Sequence, residues 1–333
     1  MNRAIRAIVL LTAAVILGGC LNINARAPER INIPAYRDDT PPPPPPGGGP
    51  PPPPHEQGDV PMVGYDTLAH VGKPVQLAAW NSALAPGAEV GFYHNQVLIA
   101  RGRVDASGYA RAAWTPPAEG VYTLTARPMA GRGGGLLVVS ALRPDAPLVV
   151  VDLDYAIVAS RAKRTWLGQS KALTGSASAL AAVARTSPVV YLTRDSEELG
   201  QATKNWLNQA GFPPGPILLS SPSADPFKSA QPGALTANFP RMRAAVIGKT
   251  PEAEAFAARS VPTYLLVRID DNDAKDLRKK AREIRQLPRG VSPATTWNEI
   301  ETGIARGAGY SADALADKLE RQAEYVDRKK KKD

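Results

Sequence analysis

Cysteine is nearly absent from this chain: 333 residues hold one, Cys20. A single thiol excludes an intrachain disulfide and any cysteine-built metal site. Histidine is scarce too. His55, His70 and His94 are the whole set and no two are spaced as a ligand pair, which removes histidine-based zinc chemistry. The chain lacks several catalytic signatures. There is no Gly-x-Ser-x-Gly turn to present a nucleophilic serine. Gly248-Lys249-Thr250 has Arg243 where a phosphate-cradling loop needs its first glycine. Ser160-Arg161-Ala162-Lys163 has the Ser-x-x-Lys spacing, but no Lys-Thr-Gly strand accompanies it. No basic stretch is interleaved with aromatics in the manner of a nucleic-acid-binding motif.

What is present begins with a leader. In MNRAIRAIVLLTAAVILGGC, Arg3 and Arg6 form a basic start, and Ala7 to Leu17 is an apolar run too short to span a membrane. Small residues then lead to the cysteine. Leu17-Gly18-Gly19-Cys20 resembles the lipobox of bacterial lipoproteins, which implies that residues 1–19 are a signal peptide and that Cys20 is lipidated. Each buried acyl CH₂ adds about 0.8 kcal/mol, so such an anchor holds firmly. Leu21 after the cysteine, by resemblance to sorting signals, points to the outer membrane as the location and to the membrane as a partner. An exported chain is not expected to bind nucleic acid. The formal charge of +9 includes Arg3 and Arg6, lost on cleavage, and a closing RKKKK run, Arg328 to Lys332. That run is a solvated helix end or a surface for anionic lipid, the latter contributing about 1 kcal/mol per charge near a membrane.

Composition then divides the chain. Residues 20–60 carry TPPPPPPGGGPPPPPHEQG and no apolar period. Proline runs of this kind extend at about 3.1 Å per residue, so the segment reads as a tether. Residues 61–142 hold short strand-like stretches, PVQLAAW, EVGFYHN, YARAAWT and VYTLTAR, punctuated by APG, DASG and PPAEG. Strands with turn signals and no helix predict a small sandwich, and the order of these stretches resembles bacterial immunoglobulin-like domains, modules that serve as spacers or binding units. Residues 147–271 alternate strand and helix: VVVDLD, SASALAAVARTS, PVVYLTR, SEELGQATKNWLNQAGF, PILLSS, RAAVIG, PEAEAFAARS, PTYLLVRI. This predicts an α/β fold, a doubly wound and mostly parallel sheet covered on both faces. Residues 272–333 read as a helical extension ending in the basic tail.

Ligands of open α/β sheets bind at the carboxyl ends of the strands, and there Asp152 and Asp154 stand two residues apart. One carboxylate attacks phosphorus and the second passes the proton, a division of labour that needs two acids within reach of one atom. The apolar strand before Asp152-Leu153-Asp154 resembles the first motif of the haloacid-dehalogenase superfamily. VVYLTRDSEELGQATKNWLNQAGFPPGPILLSSPS (Val189 to Ser223) is similar to the second motif of its lipin-type phosphatidate phosphatases, and AAVIGKTPEAEAF to the fourth. The resemblance implies an aspartyl-phosphate mechanism with Asp152 as nucleophile and Asp154 as acid/base. It also implies Thr193 and Lys228 on the phosphate, and a Mg²⁺ cofactor held by Asp152, Asp154 and Glu252 or Glu254. Two departures stand out. Tyr155-Ala156 replaces Gly-Thr after the second aspartate, and Lys249 follows Gly248 where the family has a carboxylate.

Two functions follow. The first is a lipid-anchored phosphatase acting on a phosphorylated lipid or other phosphomonoester. The second is a degenerate domain of the same fold that binds a phospholipid or an envelope protein as a scaffold.

Overall fold

The structure, a computed structural model, describes residues 62–131, 133–159, 170–193, 200–219, 225–269 and 273–330. The leader, Cys20 and the tether lie outside the described residues. None of the described helices is long and apolar enough to cross a membrane.

The first domain is a two-sheet sandwich. β1 (Val63–Tyr65), β3 (Val75–Trp80) and β6 (Tyr109–Trp114) form one antiparallel sheet. β2 (Thr67–His70), β8 (Gly135–Leu142), β7 (Gly120–Pro128), β4 (Glu89–His94) and β5 (Val97–Arg103) form the other in that order. The chain switches sheets between β1 and β2, and β2 runs parallel to β8. The period is two along β3, whose burial alternates from Val75 to Trp80, so one face of each sheet meets the other. Leu77, Phe92, Leu124, Leu137 and Val139 fill the space between. The four strands expected from sequence are β3, β4, β6 and β7. β1, β2, β5 and β8 complete an immunoglobulin-like arrangement.

The second domain is a six-stranded parallel sheet. Its members are β9 (Val149–Asp152), β10 (Val189–Thr193), β11 (Ile217–Leu219), β12 (Ala244–Ile247), β13 (Thr263–Leu266) and β14 (Val291–Ala294). Their order is β11-β10-β9-β12-β13-β14, each pair parallel. Helices cover both faces, so β9, β10, β12 and β13 are buried at every position. One face packs α1 (Ser176–Ala184), α2 (Gly200–Gln209) and α6 (Trp297–Arg306) over Val149 and Val151. The other packs α3 (Asp225–Asn238), α4 (Thr250–Ala257), α5 (Ala274–Arg285) and α7 (Ala312–Lys330) over Val150. The doubly wound expectation holds in this sheet.

The boundary expected at residue 271 does not. The segment read as a helical extension contributes β14, paired Thr263↔Val291 through Leu266↔Ala294. It also contributes two helices that bury Trp297, Ile300, Leu319 and Ala323 against the sheet. Four residues with a proline at the third, VSPA, are too short and too weakly β-forming to announce a strand. α7 continues through Arg328, so the start of the basic run is a solvated helix end.

The two domains pack tightly. Leu68 and Leu142 of the sandwich belong to the α/β core. Asp66, 1% exposed, lies at their joint. Its Oδ1 accepts from Val138 N at 2.7 Å and from Lys204 Nζ at 2.7 Å, and its Oδ2 from Ile217 N at 2.9 Å.

Candidate functional site

The site starts where β9 stops. After Asp152 the chain makes a π-helical turn, Leu153–Ile157, a geometry that is rare and frequent at functional sites. Three of its residues are apolar and buried, Leu153, Ala156 and Ile157, and they hold the turn down. Trp297 Nε1, at the start of α6 and 141 residues on in sequence, donates to Ala156 O at 2.8 Å. Asp154 and Tyr155 are left half-buried at the sheet's carboxyl edge. Beyond the turn, Val158 and Ala172 bridge in antiparallel fashion and Ala159 N donates to Lys171 O at 2.8 Å. Residues 160–169 lie outside the described residues.

Strand order reverses on either side of β9, between β10 and β12, and such a switch point is where an open α/β sheet forms its crevice. Groups from all three strand ends meet there. Asp152 is buried, 1% exposed. Its Oδ1 accepts from Asp154 N at 3.1 Å and its Oδ2 from Gly248 N, just past β12, at 3.2 Å. Thr193, the last residue of β10, donates its hydroxyl to Asp154 Oδ1 at 2.6 Å. Gly248 is glycine for a steric reason. A Cβ at this position would overlap the Cβ and the carbonyl of Tyr155. Lys249 then places its Nζ 4.1 Å above the centre of the Tyr155 ring.

Of the residues expected from sequence, Asp152, Asp154 and Thr193 are brought together. The hydroxyl of Thr193 is fully buried and engaged with Asp154, so it orients that carboxyl. Glu252, 6% exposed in the first turn of α4, lines a small cavity together with Asp152, Leu192, Ile247 and Phe256. Glu254 is exposed on the same helix. Lys228 falls in α3, but its side chain lies outside what the structure describes, as does Cys20. The sequence reading missed the Gly248 amide and the contact between Lys249 and Tyr155. The signal for both was the pair of departures at Tyr155 and Lys249, which follow the two adjacent strands of the switch point, β9 and β12.

The magnesium expectation was tested against the donor set. Among the described residues, no three Asp, Glu, His or Cys side chains group closely enough to hold a metal ion. The carboxyl oxygens of Asp152 accept backbone N–H groups, and one of Asp154 accepts a hydroxyl. A lysine ammonium stands at the same edge and repels a cation. The donor set of this edge is thus two neighbouring carboxylates with an ammonium beside them, a combination that weakens the hold on a divalent ion.

The chain is thus a two-domain protein, an immunoglobulin-like sandwich packed on a doubly wound α/β domain. No protein-family model matches it, and no curated protein matches it. Solved structures similar to part of it are immunoglobulin-like or fibronectin-like modules. The D00-D0 domain of intimin is 13% identical over 24% of this chain and 45% of that one, with a TM-score of 0.21. A fibronectin(III)-like module of CbhA from Clostridium thermocellum is 22% identical over 24% of this chain and 97% of that one, at 0.19. The M1 domain of titin is 12% identical over 24% of this chain and 93% of that one, at 0.18. The chain spans about half the length of the intimin fragments it matches. At these scores the sandwich rests on its own two sheets, and the neighbours carry nothing about the α/β site.

Proposed function

We propose that the chain hydrolyses phosphate monoesters at the carboxyl end of β9. The observation that carries this reading is the meeting of Asp152, Asp154, Thr193 and the Gly248 amide at the switch point. Asp152 attacks phosphorus, an aspartyl-phosphate forms, and the P–O bond to the leaving group breaks. Asp154 gives its proton to the leaving oxygen and then takes one from the water that releases phosphate. Thr193 fixes the rotamer of Asp154, and Gly248 N fixes that of Asp152, so both acids are positioned before substrate arrives. Anchoring through Cys20 at the outer membrane would bring the site to phosphorylated lipids, which the lipin-like second motif favours as substrates.

A second reading is a binding domain of the same fold, a scaffold for a phospholipid or an envelope protein. The burial of Asp152 and the Lys249–Tyr155 contact at the edge of the site favour it. The deciding assay follows phosphate release from phosphatidate and from an aryl phosphate, with and without Mg²⁺, for wild type and Asp152→Asn. Hydrolysis means release that disappears in the variant. No release from either substrate under either condition removes hydrolysis and leaves the binding reading.

A further inference from the structure

A fixed positive charge stands at this site, where no three metal-ligating side chains group closely among the described residues. Lys249 is the residue before α4, with extended backbone (φ −133°, ψ 139°), and its side chain makes no cap bond to its helix. It reaches over Tyr155 instead, 4.1 Å from the ring centre, within the range in which an aromatic face attracts an ammonium. Two features place that ammonium. Gly248 has no side chain, which lets the end of β12 approach the π-helical turn, and the Gly248 amide ties the same peptide segment to Asp152 Oδ2 at 3.2 Å. Tyr155 directly follows Asp154, so ring and acid share one turn. The ammonium is therefore tied through short covalent and hydrogen-bonded links to both aspartates. The start of α4 lies at the same strand end, with a partial positive charge of its own. An anion entering beside Asp152 meets the ammonium of Lys249 and the partial positive charge at the start of α4.

We infer that Lys249, held on the ring of Tyr155, is the counter-cation of the site and binds the phosphoryl group of an anionic ligand without a divalent metal. This rests on the reading that the carboxyl end of β9 receives a phosphate group, and it holds for hydrolysis and for binding alike. The ring holds the ammonium by its π face and leaves its N–H donors for phosphate oxygens, which take a lysine as a point charge.

The test is a calorimetric titration of the full chain with inorganic phosphate, once in excess EDTA and once in Mg²⁺, for wild type, Lys249→Met, Lys249→Arg and Tyr155→Leu. Wild type is expected to bind equally in both buffers. Lys249→Met should weaken binding by at least about tenfold, the loss of one charge-assisted bond. Lys249→Arg should restore most of it, and Tyr155→Leu should fall between. Melting temperatures of the four proteins separate loss of binding from loss of fold. Binding that EDTA abolishes would overturn the metal-free site and leave the phosphate reading standing. So would a Lys249→Met protein that binds as wild type does. Binding in neither buffer would overturn the phosphate reading, and the inference with it.

Discussion

Asp152 has the polar environment that a carboxylate at the end of a buried strand needs. Each oxygen accepts one backbone N–H, from Asp154 and from Gly248. Asparagine keeps one acceptor and turns an NH₂ group toward the other N–H. Asp152→Asn is therefore expected to lower stability by about 1–3 kcal/mol, the cost of a buried donor left unpaired, while phosphate release falls to background. Urea melts beside the release assay separate the two effects, and a fully active variant would remove Asp152 as the nucleophile. Thr193→Val is the milder change. It keeps the shape and deletes the hydroxyl that donates to Asp154 Oδ1 at 2.6 Å. The expected outcome is a loss of about tenfold or more in turnover at unchanged melting temperature. Unchanged turnover would make the hydroxyl merely structural. The sequence announced these residues because two acids after an apolar run are informative by type. It could not announce the Gly248 amide, whose tie to Asp152 spans 96 positions and depends on β12 lying next to β9.

At the scale of elements, legibility followed length and period. Strong apolar runs such as Val149–Val151 and Val189–Leu192 read correctly because parallel strands covered on both faces carry no alternation. β14 did not, and α6 was passed over although its start is written plainly. Thr296 and Glu299 have the T-x-x-E spacing of a capping box. The structure forms it: Thr296 Oγ1 accepts from Glu299 N at 3.2 Å, and Glu299 Oε2 accepts from Thr296 N at 3.1 Å and Thr295 N at 2.6 Å. Burial pushes the Glu299 carboxyl upward, but the Thr295 amide and hydroxyl and the Thr296 amide outweigh it and hold it below its ordinary value. The sign follows. A depressed carboxyl contributes stability that is complete above the unfolded value of 4.5 and is lost as pH falls through the lower folded value. Glu299→Gln should thus lower stability at pH 6 and narrow its gap to wild type below pH 4. Thr296→Ala should cost about 1 kcal/mol across that range. Melting temperatures from pH 6 to pH 3 check both, and parallel curves for wild type and Glu299→Gln would remove the linkage.

At the scale of the molecule, the sandwich is more than a spacer. Nothing in GYDTLAH marks Asp66 as special, yet it holds β8 through Val138, the start of β11 through Ile217, and Lys204 of α2. Lys204 in turn donates to Gly64 O at 3.1 Å and Leu136 O at 2.6 Å. A buried ion pair contributes little net stability against an apolar pair, but removing one partner strands the other charge at a cost of about 3–5 kcal/mol. Around it, Leu68 and Leu142 sit in the α/β core and the His70 ring lies 4.9 Å from that of Phe239. Domains joined by a small polar contact swing, and those sharing apolar core do not. The two domains should therefore open together. Amide exchange of β3 in the sandwich and of β12 in the α/β sheet is expected to share one global opening as urea rises. Lys204→Met should lower that opening free energy by about 3–5 kcal/mol and separate the two exchange curves. Pairing it with Asp66→Asn should recover part of the loss, because no charge is then stranded. Separate curves already in wild type would mean that the domains are independent, and that Asp66 braces a joint the fold does not need.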